Sequence, residues 1–232
     1  MKRYVAMALA VVAIAFGFAG SAGAGVIVLD FENIAPYPNN NDVFIQEYYN
    51  GGTSSIGTSG PNYGVSFTPN ALDICLNTPG TVCSNTSRGG LAPGSDKGAL
   101  FWLTGDNTYM NVAAGFENGF SFYYAAPNTP GSVTVYDGLN GTGSVLATLG
   151  LGLTPSTCDL SIYAAGYCPF VAVGANFSGI AHSVSFAGTA NFIVYDDVTF
   201  GSSTPGNVPE PATLLLLGSG LAGLAGLAWR KN

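Results

Sequence analysis

Basic residues are scarce in this sequence of 232 residues. It has six Lys and Arg, and four of them lie within three residues of either end, so segment 25–207 has only Arg88 and Lys97. The same segment contains twelve of the thirteen Asp and Glu, which gives it a net charge of −10. Two cations cannot neutralise a row of phosphates or hold an anionic lipid surface. We therefore expect no nucleic-acid partner.

Charge of either sign is also scarce, and so is helical periodicity. Charged residues make up 8% of the chain, against about a quarter of an average soluble domain, and 33 Gly accompany them. Between the two ends, short runs rich in Val, Phe, Tyr and Thr alternate with turn residues, which is typical of strands. The sequence therefore predicts an all-β fold over 25–200, a jelly-roll-like β-sandwich. The predicted strands are 26–32, 64–68, 99–104, 119–125, 132–137, 144–149, 170–174, 181–187 and 191–200.

The first 24 residues have the pattern of a signal peptide. Lys2 and Arg3 precede an apolar run over 5–18, and small residues at 22–24 offer a cleavage site. We therefore predict that segment 1–24 directs export and is removed.

Four cysteines in an exported chain indicate disulfides. Three pairings are possible, and the spacing favours Cys75–Cys83 and Cys158–Cys168, because each pair brackets one turn-rich segment. Closing loops this short contributes about 2.5 kcal/mol each on the chain-entropy account. A metal–thiolate site is the alternative, but the C-x-x-C spacing typical of such sites is absent.

The C-terminal part of the chain combines a short motif with an apolar run. Val208-Pro209-Glu210-Pro211 is followed by eighteen uncharged residues, 212–229, and then by Arg230 and Lys231. A helix over 212–229 has about the minimum length for crossing a bilayer, and the basic pair would stay cytoplasmic. Segment 201–207, rich in Ser, Thr, Pro and Gly, is predicted to be a linker.

This arrangement over 208–232 resembles the PEP-CTERM sorting signal of bacterial surface proteins. The resemblance implies a protein that is exported, held in the inner membrane by its C-terminal helix, and processed near Pro-Glu-Pro by an exosortase. It further implies delivery to the cell surface or the extracellular space, in bacteria that make extracellular polysaccharide. A permanently retained tail anchor is the alternative.

Residues suited to catalysis are few. The one histidine, His182, shares strand parity with Val184 and Phe186, which favours a packed position over a role as a base. Nucleophile-elbow, zinc-protease and phosphate-loop motifs are absent. We therefore predict no catalytic residues and no enzyme activity. A glycoside hydrolase using a pair of acids is the remotest alternative.

One carboxylate lies in an unusual position. In Phe192-Ile193-Val194-Tyr195-Asp196-Asp197-Val198-Thr199-Phe200, strand alternation places Asp196 on one face with Phe192, Val194, Val198 and Phe200. An unpaired charge in an apolar stripe is costly, and with two basic residues available a metal cation is a reasonable partner. A β-bulge that turns both aspartates to solvent is the alternative.

The first predicted strand adds Asp30 and Glu32. A Phe-Glu pair near the start and Asp-Asp-Val near the end resemble jelly-roll carbohydrate-binding modules, in which the first and last strands share a structural calcium. The resemblance implies that Asp30, Glu32, Asp196 and Asp197 bind Ca²⁺, the only cofactor we expect.

Aromatic residues offer a possible ligand site. Sugar rings stack on aromatic faces, and Tyr48 and Tyr49 lie in a long polar loop, where one is expected to anchor the loop and the other to face a ligand. The sequence therefore supports a non-catalytic exported protein that binds or associates with extracellular polysaccharide. A purely structural or adhesive surface protein without a pocket is the alternative.

Overall fold

The computed structural model describes residues 25–35, 42–76, 92–93, 95, 97–159, 161 and 166–206. Within these ranges the chain forms twelve strands and one 3-10 turn, Leu139–Gly141, and no α-helix. No helix formed by the described residues has the length and hydropathy that crossing a bilayer requires. The predicted signal peptide, the apolar segment 212–229 and Cys83 lie outside the described residues.

The strands form two antiparallel sheets. The larger sheet has the order β10-β7-β12-β5-β4-β2, with β1 paired to β12, and the smaller has the order β3-β6-β11-β8-β9. The strands are β1 Ile27–Leu29, β2 Val43–Phe44, β3 Val65–Phe67, β4 Ala71–Cys75, β5 Gly98–Trp102, β6 Asn107–Phe116, β7 Gly119–Ala125, β8 Gly131–Tyr136, β9 Val145–Leu151, β10 Val171–Asn176, β11 Ala181–Gly188 and β12 Val194–Phe200.

Aromatic side chains fill the space between the sheets. The rings of Phe186 and Tyr195 lie 4.9 Å apart edge to face, and Phe122 packs 5.4 Å from Tyr195. All three side chains are fully buried. Because β11 contributes Phe186 and β7 and β12 contribute the other two, this contact joins the smaller sheet to the larger one.

A second apolar cluster covers the outer face of the larger sheet. Its members include Leu72, Ile74, Phe101, Tyr167 and Phe170. Strands β4, β5 and β12 are consequently buried along their whole length, as strands covered on both faces are.

The covering segment contains a disulfide. Cys158 and Cys168 are bonded, with their Cα atoms 5.4 Å apart. Cys75 is also disulfide-bonded, and it is buried in the sheet below.

The structure confirms the predicted all-β sandwich. Each of the nine predicted strands overlaps an observed one, whereas β2, β4 and β6 were not predicted. Strand β6 has the alternation of a strand, with Thr108, Met110 and Val112 buried, but the Ala-Ala-Gly run at 113–115 that follows obscures it.

The predicted linker is packed where the structure describes it. Residues 201–206 lie against the outer face of the larger sheet, and Ser121 Oγ donates a hydrogen bond of 3.0 Å to the Ser202 carbonyl oxygen. Composition suggested a free segment, but glycines in the underlying strands let this backbone approach the sheet closely. Asn207 lies outside the described residues.

Candidate functional site: a buried carboxylate cluster

The pairing of β1 with β12 brings the predicted acidic residues together. Ile27 lies opposite Phe200 and Leu29 lies opposite Val198, and Asp30 and Asp197 are the next residues beyond this last pair. Glu32 follows two residues later. The four residues predicted from the sequence therefore lie where the first and last strands meet.

The last strand contains a bulge at this position. Its register with β7 shifts between Asp196 and Thr199, and Asp197 has φ +47°. Phe31, beside Asp30, also has a positive φ, +57°. Such conformations are costly for residues other than glycine and are concentrated at functional sites.

The bulge corrects the predicted apolar stripe. Val194 belongs to the outer cluster, whereas Val198 and Phe200 belong to the main core, and Phe192 is 37% exposed. The extra residue at the bulge reverses which face the following side chains occupy. The predicted alternative also fails in part, because the bulge exists but both aspartates remain buried, at 0% and 3% exposure.

Glu32 ties the end of β1 to the start of β5. Its carboxylate accepts hydrogen bonds from the Lys97 amide at 2.8 and 2.9 Å, the Gly98 amide at 3.3 Å and the Ser95 hydroxyl at 2.7 Å. Gly98 must be glycine here, because a Cβ at this position would overlap the Phe31 carbonyl. These bonds fix Glu32 beside the two aspartates.

The two aspartates of the bulge have incomplete hydrogen bonding. Asp196 Oδ1 accepts a bond of 2.7 Å from the Asp197 amide, but Oδ2 of each residue is buried without a partner among the described residues. Burial, followed by the charge of Asp197, raises the pKa of Asp196 well above its ordinary value. Burial, followed by the charges of Asp30 and Glu32, raises the pKa of Asp197 to about 7.

A fifth carboxyl group, Asp73, was not predicted. It lies on β4, and its cross-strand neighbour is Leu100 of β5, which in turn pairs with the core residue Tyr195. Asp73 is therefore on the core side of the sheet. It is 1% exposed, and its side-chain oxygens make no hydrogen bond of ordinary geometry within the described part of the chain, although the Ala99 backbone lies close enough to lower its pKa in part. Burial, and then the charge of Glu32, raises its pKa well above the ordinary value. A lone Asp in the apolar run Ala71–Cys75 was the available signal, and it was missed because β4 was not predicted.

Carboxylate oxygens at this density are the ligands that Ca²⁺ prefers. As arranged in the described residues, however, no group of three or more His, Cys, Asp or Glu side chains has the geometry to hold a metal ion. A cation at this site therefore requires side chains to rotate toward it.

The two tyrosines do not provide the predicted ligand site. Tyr48 and Tyr49 are 5% and 2% exposed, so neither presents a ring face to solvent. The Tyr49 hydroxyl accepts a hydrogen bond of 2.8 Å from the Phe31 amide, and its ring stacks on Tyr63. Both tyrosines therefore anchor the loop, and Tyr49 also supports the backbone between Asp30 and Glu32.

His182 is half-buried, at the register shift of β11. Its Nδ1 lies 3.3 Å from the Val112 carbonyl oxygen. The ring therefore lies at the margin of the sheet rather than fully inside the packed face that the alternation predicted.

A second surface lies on the outer face of the smaller sheet. Four neighbouring strands contribute one residue each to a row across this face. In order across the sheet, the row consists of Tyr109, Ser185, Thr134 and Thr148. The residues next to these in the chain point into the core, so this row points outward. We call it, with Asn107, Asn111 and Tyr136 beside it, the polar sheet face. It has two half-buried tyrosine rings and no charged side chain.

Comparison with known proteins identifies one segment. The model of the PEP-CTERM protein-sorting motif matches residues 207–232, which confirms the predicted sorting signal. No curated protein matches the sequence.

Solved structures similar to this chain include three from polysaccharide-degrading systems. A carbohydrate-binding module from Cellvibrio mixtus lichenase 5A, in complex with cellotriose, is 11% identical, with a TM-score of 0.33 over 60% of this chain and 88% of that chain. The C-terminal CBM6 of a Zobellia galactanivorans laminarinase is 11% identical, with a TM-score of 0.31 over 57% and 100%. A Bacillus subtilis arabinoxylan arabinofuranohydrolase in complex with cellotetraose is 18% identical, with a TM-score of 0.36 over 64% and 30%.

Replacing Asp73 tests whether its charge has a counter-ion. Because its pKa is higher in the folded state than the ordinary value of about 3.9, it favours folding below pH 4 and opposes it increasingly as pH rises. Asp73→Asn lacks this dependence. We expect Asp73→Asn to melt at a higher temperature than the parent at pH 7, and we expect this difference to shrink toward pH 4. The control Asp106→Asn, at an exposed position, should melt like the parent. A lower melting temperature at pH 7 would contradict this expectation and indicate that the folded state compensates the Asp73 charge.

Proposed function

We propose that this protein is exported, anchored briefly in the membrane, cut near Pro-Glu-Pro by an exosortase and displayed at the cell surface without catalysis of its own. The sorting motif at 207–232 is the observation that carries the proposal. Pro209 and Pro211 suit recognition by a processing enzyme, because they keep the chain extended and unable to join a sheet.

Processing predicts a defined end to the mature chain. Mass spectrometry of protein released from the cell surface should find its last residue between Pro209 and Pro211. Protein from a strain that lacks the processing enzyme should retain Lys231. Surface protein that still carries Lys231 in the parent strain would contradict cleavage and indicate a permanent anchor.

We further propose that the displayed domain binds extracellular polysaccharide through the polar sheet face. The hydroxyl groups of Thr134 and Thr148 can exchange hydrogen bonds with sugar hydroxyls. Ser185, in contrast, is buried, and the Asn111 amide is bonded to Asn140. The tyrosine rings can stack on C–H faces. Asn107 Nδ2 donates a bond of 2.9 Å to the Tyr109 hydroxyl, which holds that ring in a fixed position. Because the polar sheet face has no charged side chain, it does not attract charged polymers.

Removal of a ring from this face should weaken binding. For a polysaccharide selected by glycan array, Tyr109→Ala and Tyr136→Ala should each reduce affinity by up to about tenfold, the value of one aromatic contact. Tyr63→Ala, at a 39% exposed tyrosine elsewhere, should bind like the parent in affinity electrophoresis. Binding to no glycan would favour a purely structural or adhesive role.

We propose, finally, that Ca²⁺ binds at the carboxylate cluster and stabilises the displayed domain. Asp196 and Asp197 have buried oxygens without partners, and the two positive-φ residues mark strained backbone at the same level of both strands. Asp30 and Glu32 complete the oxygen set on the β1 side. A hard cation would offset the mutual repulsion of these groups.

Chelation should therefore destabilise the domain. A ligand at a hundredfold excess over its Kd stabilises the folded state by about 2.7 kcal/mol, so chelator should lower Tm by about 5–10 °C at this size. Asp196→Ala should abolish the sensitivity, and Asp106→Ala should keep it. A melting curve indifferent to both chelator and added Ca²⁺ would leave protonation as the way these groups are neutralised.

A further inference from the structure

Residues 201–206, which we call the strap, end the described part of the chain and are hydrogen-bonded to the larger sheet. The Gly201 amide donates a bond of 3.0 Å to the Gly119 carbonyl, and the Gly206 amide donates one of 3.2 Å to Thr199 Oγ1. With the Ser121–Ser202 bond, these contacts hold the first two residues and the last residue of the strap.

Two glycines make room for the strap. A Cβ on Gly119 would lie 2.6 Å from Ser203 N and 2.8 Å from the Ser202 carbonyl carbon, and a Cβ on Gly174 would overlap the Ser203 carbonyl oxygen. Neither glycine has a positive φ. Glycine is therefore required at these positions by the close approach of the strap and not by backbone conformation.

Both exits of the described domain lie at one end of the sandwich. Gly201 lies beside the backbone of Gly25 and Val26. The β6–β7 turn, residues 117–118, and the β10–β11 turn, residues 177–180, are at the same end, which we call the terminal end. The β5–β6 turn with Asp106 is at the far end, separated from the terminal end by the ten residues of β6, about 33 Å of strand.

The strap leaves only a short tether. From Gly206 to Ala212, where the apolar run begins, there are six Cα–Cα steps, which span at most about 20 Å. That length is less than the distance between the two ends of the domain. With its far end on the membrane, the domain would place Gly206 beyond the reach of this tether.

We propose that in the anchored precursor the terminal end lies against the membrane surface and the far end points away from it. The proposal rests on the anchoring step of the proposed function. The terminal end suits a lipid surface, because Val26 and Ile180 are 42% and 48% exposed and its four segments contain one charged residue, Glu117. The neighbouring β8–β9 turn adds Asp137. The carboxylate cluster lies farther from the membrane than the terminal end does. Asp196 and Asp197 precede Phe200, the last residue of β12, by four and three positions.

The strap sets this orientation. If it detached, the tether would begin after Phe200 and contain twelve Cα–Cα steps, about 40 Å when extended. That length exceeds the separation of the two ends, so the domain could then turn over. Loss of the strap contacts should therefore abolish the preferred orientation without removing the anchor.

Energy transfer to labelled lipid tests the orientation. The precursor, made in a host without the processing enzyme, is reconstituted in phosphatidylethanolamine–phosphatidylglycerol vesicles that carry an acceptor on the lipid headgroup. A donor is attached at Ser178→Cys in the terminal end or at Asp106→Cys at the far end, both exposed. No cysteine in the described residues is free to compete for the label. We expect at least twofold higher transfer efficiency from position 178.

Matched variants separate the strap from other effects. In Gly119→Ala and in Ser121→Ala, the difference between the two donor positions should shrink, because the strap detaches. Gly150→Ala, where a Cβ meets nothing within 4 Å, should retain it. Equal transfer from both positions in the parent, with the protein floating with vesicles, would overturn the orientation alone. Failure to float with vesicles would overturn the anchoring step itself, and with it this proposal.

Discussion

The pairing of β1 with β12 is the contact on which the arrangement of this molecule depends. It aligns Ile27 with Phe200, and from that register two consequences follow. Asp30 and Glu32 arrive beside Asp196 and Asp197, and the chain enters and leaves the described domain at the same end. A shift of one residue would turn the carboxylates to the other face and separate them. One backbone pairing thus determines both the acidic site and the direction of the two exits.

The carboxylate cluster shows how a shortage of cations shapes the interior. A buried carboxylate normally finds an Arg or Lys partner, but segment 25–207 has two basic residues for twelve acids. Glu32 accepts hydrogen bonds from the backbone amides of 97 and 98 and from the Ser95 hydroxyl. Asp73 and one oxygen each of Asp196 and Asp197 make no hydrogen bond of ordinary geometry in the described part of the chain. The remaining ways to neutralise them are a proton, which raised pKa values favour, or a metal cation.

Local pattern predicted the sheet-forming segments but not the departures from regular geometry. Alternation and turn residues located nine strands, because both signals are local. A bulge at Asp196 and Asp197 was offered only as the alternative, and its outcome was not predictable, because whether the two aspartates face solvent or lie buried depends on the segments packed against them. For the same reason Val194 and Val198 were assigned to one face. One of Tyr48 and Tyr49 was expected to face a ligand, but the two rings pack edge to face and both are buried. The strap was missed because its own composition is that of a linker, and the signal is carried by Gly119 and Gly174.

The position of the exits separates the parts of the molecule that processing must reach from the parts that binding would use. The polar sheet face lies on the smaller sheet, whereas the strap lies on the larger one. Under the proposed processing, an enzyme that cuts beyond Gly206 would approach the terminal end, and the strap contacts with Thr199 and Ser121 would remain after the cut. The residues under the strap would therefore stay covered after removal of the tail. Under the proposed function, the domain would be folded while anchored and unchanged once released, as a displayed binding surface requires.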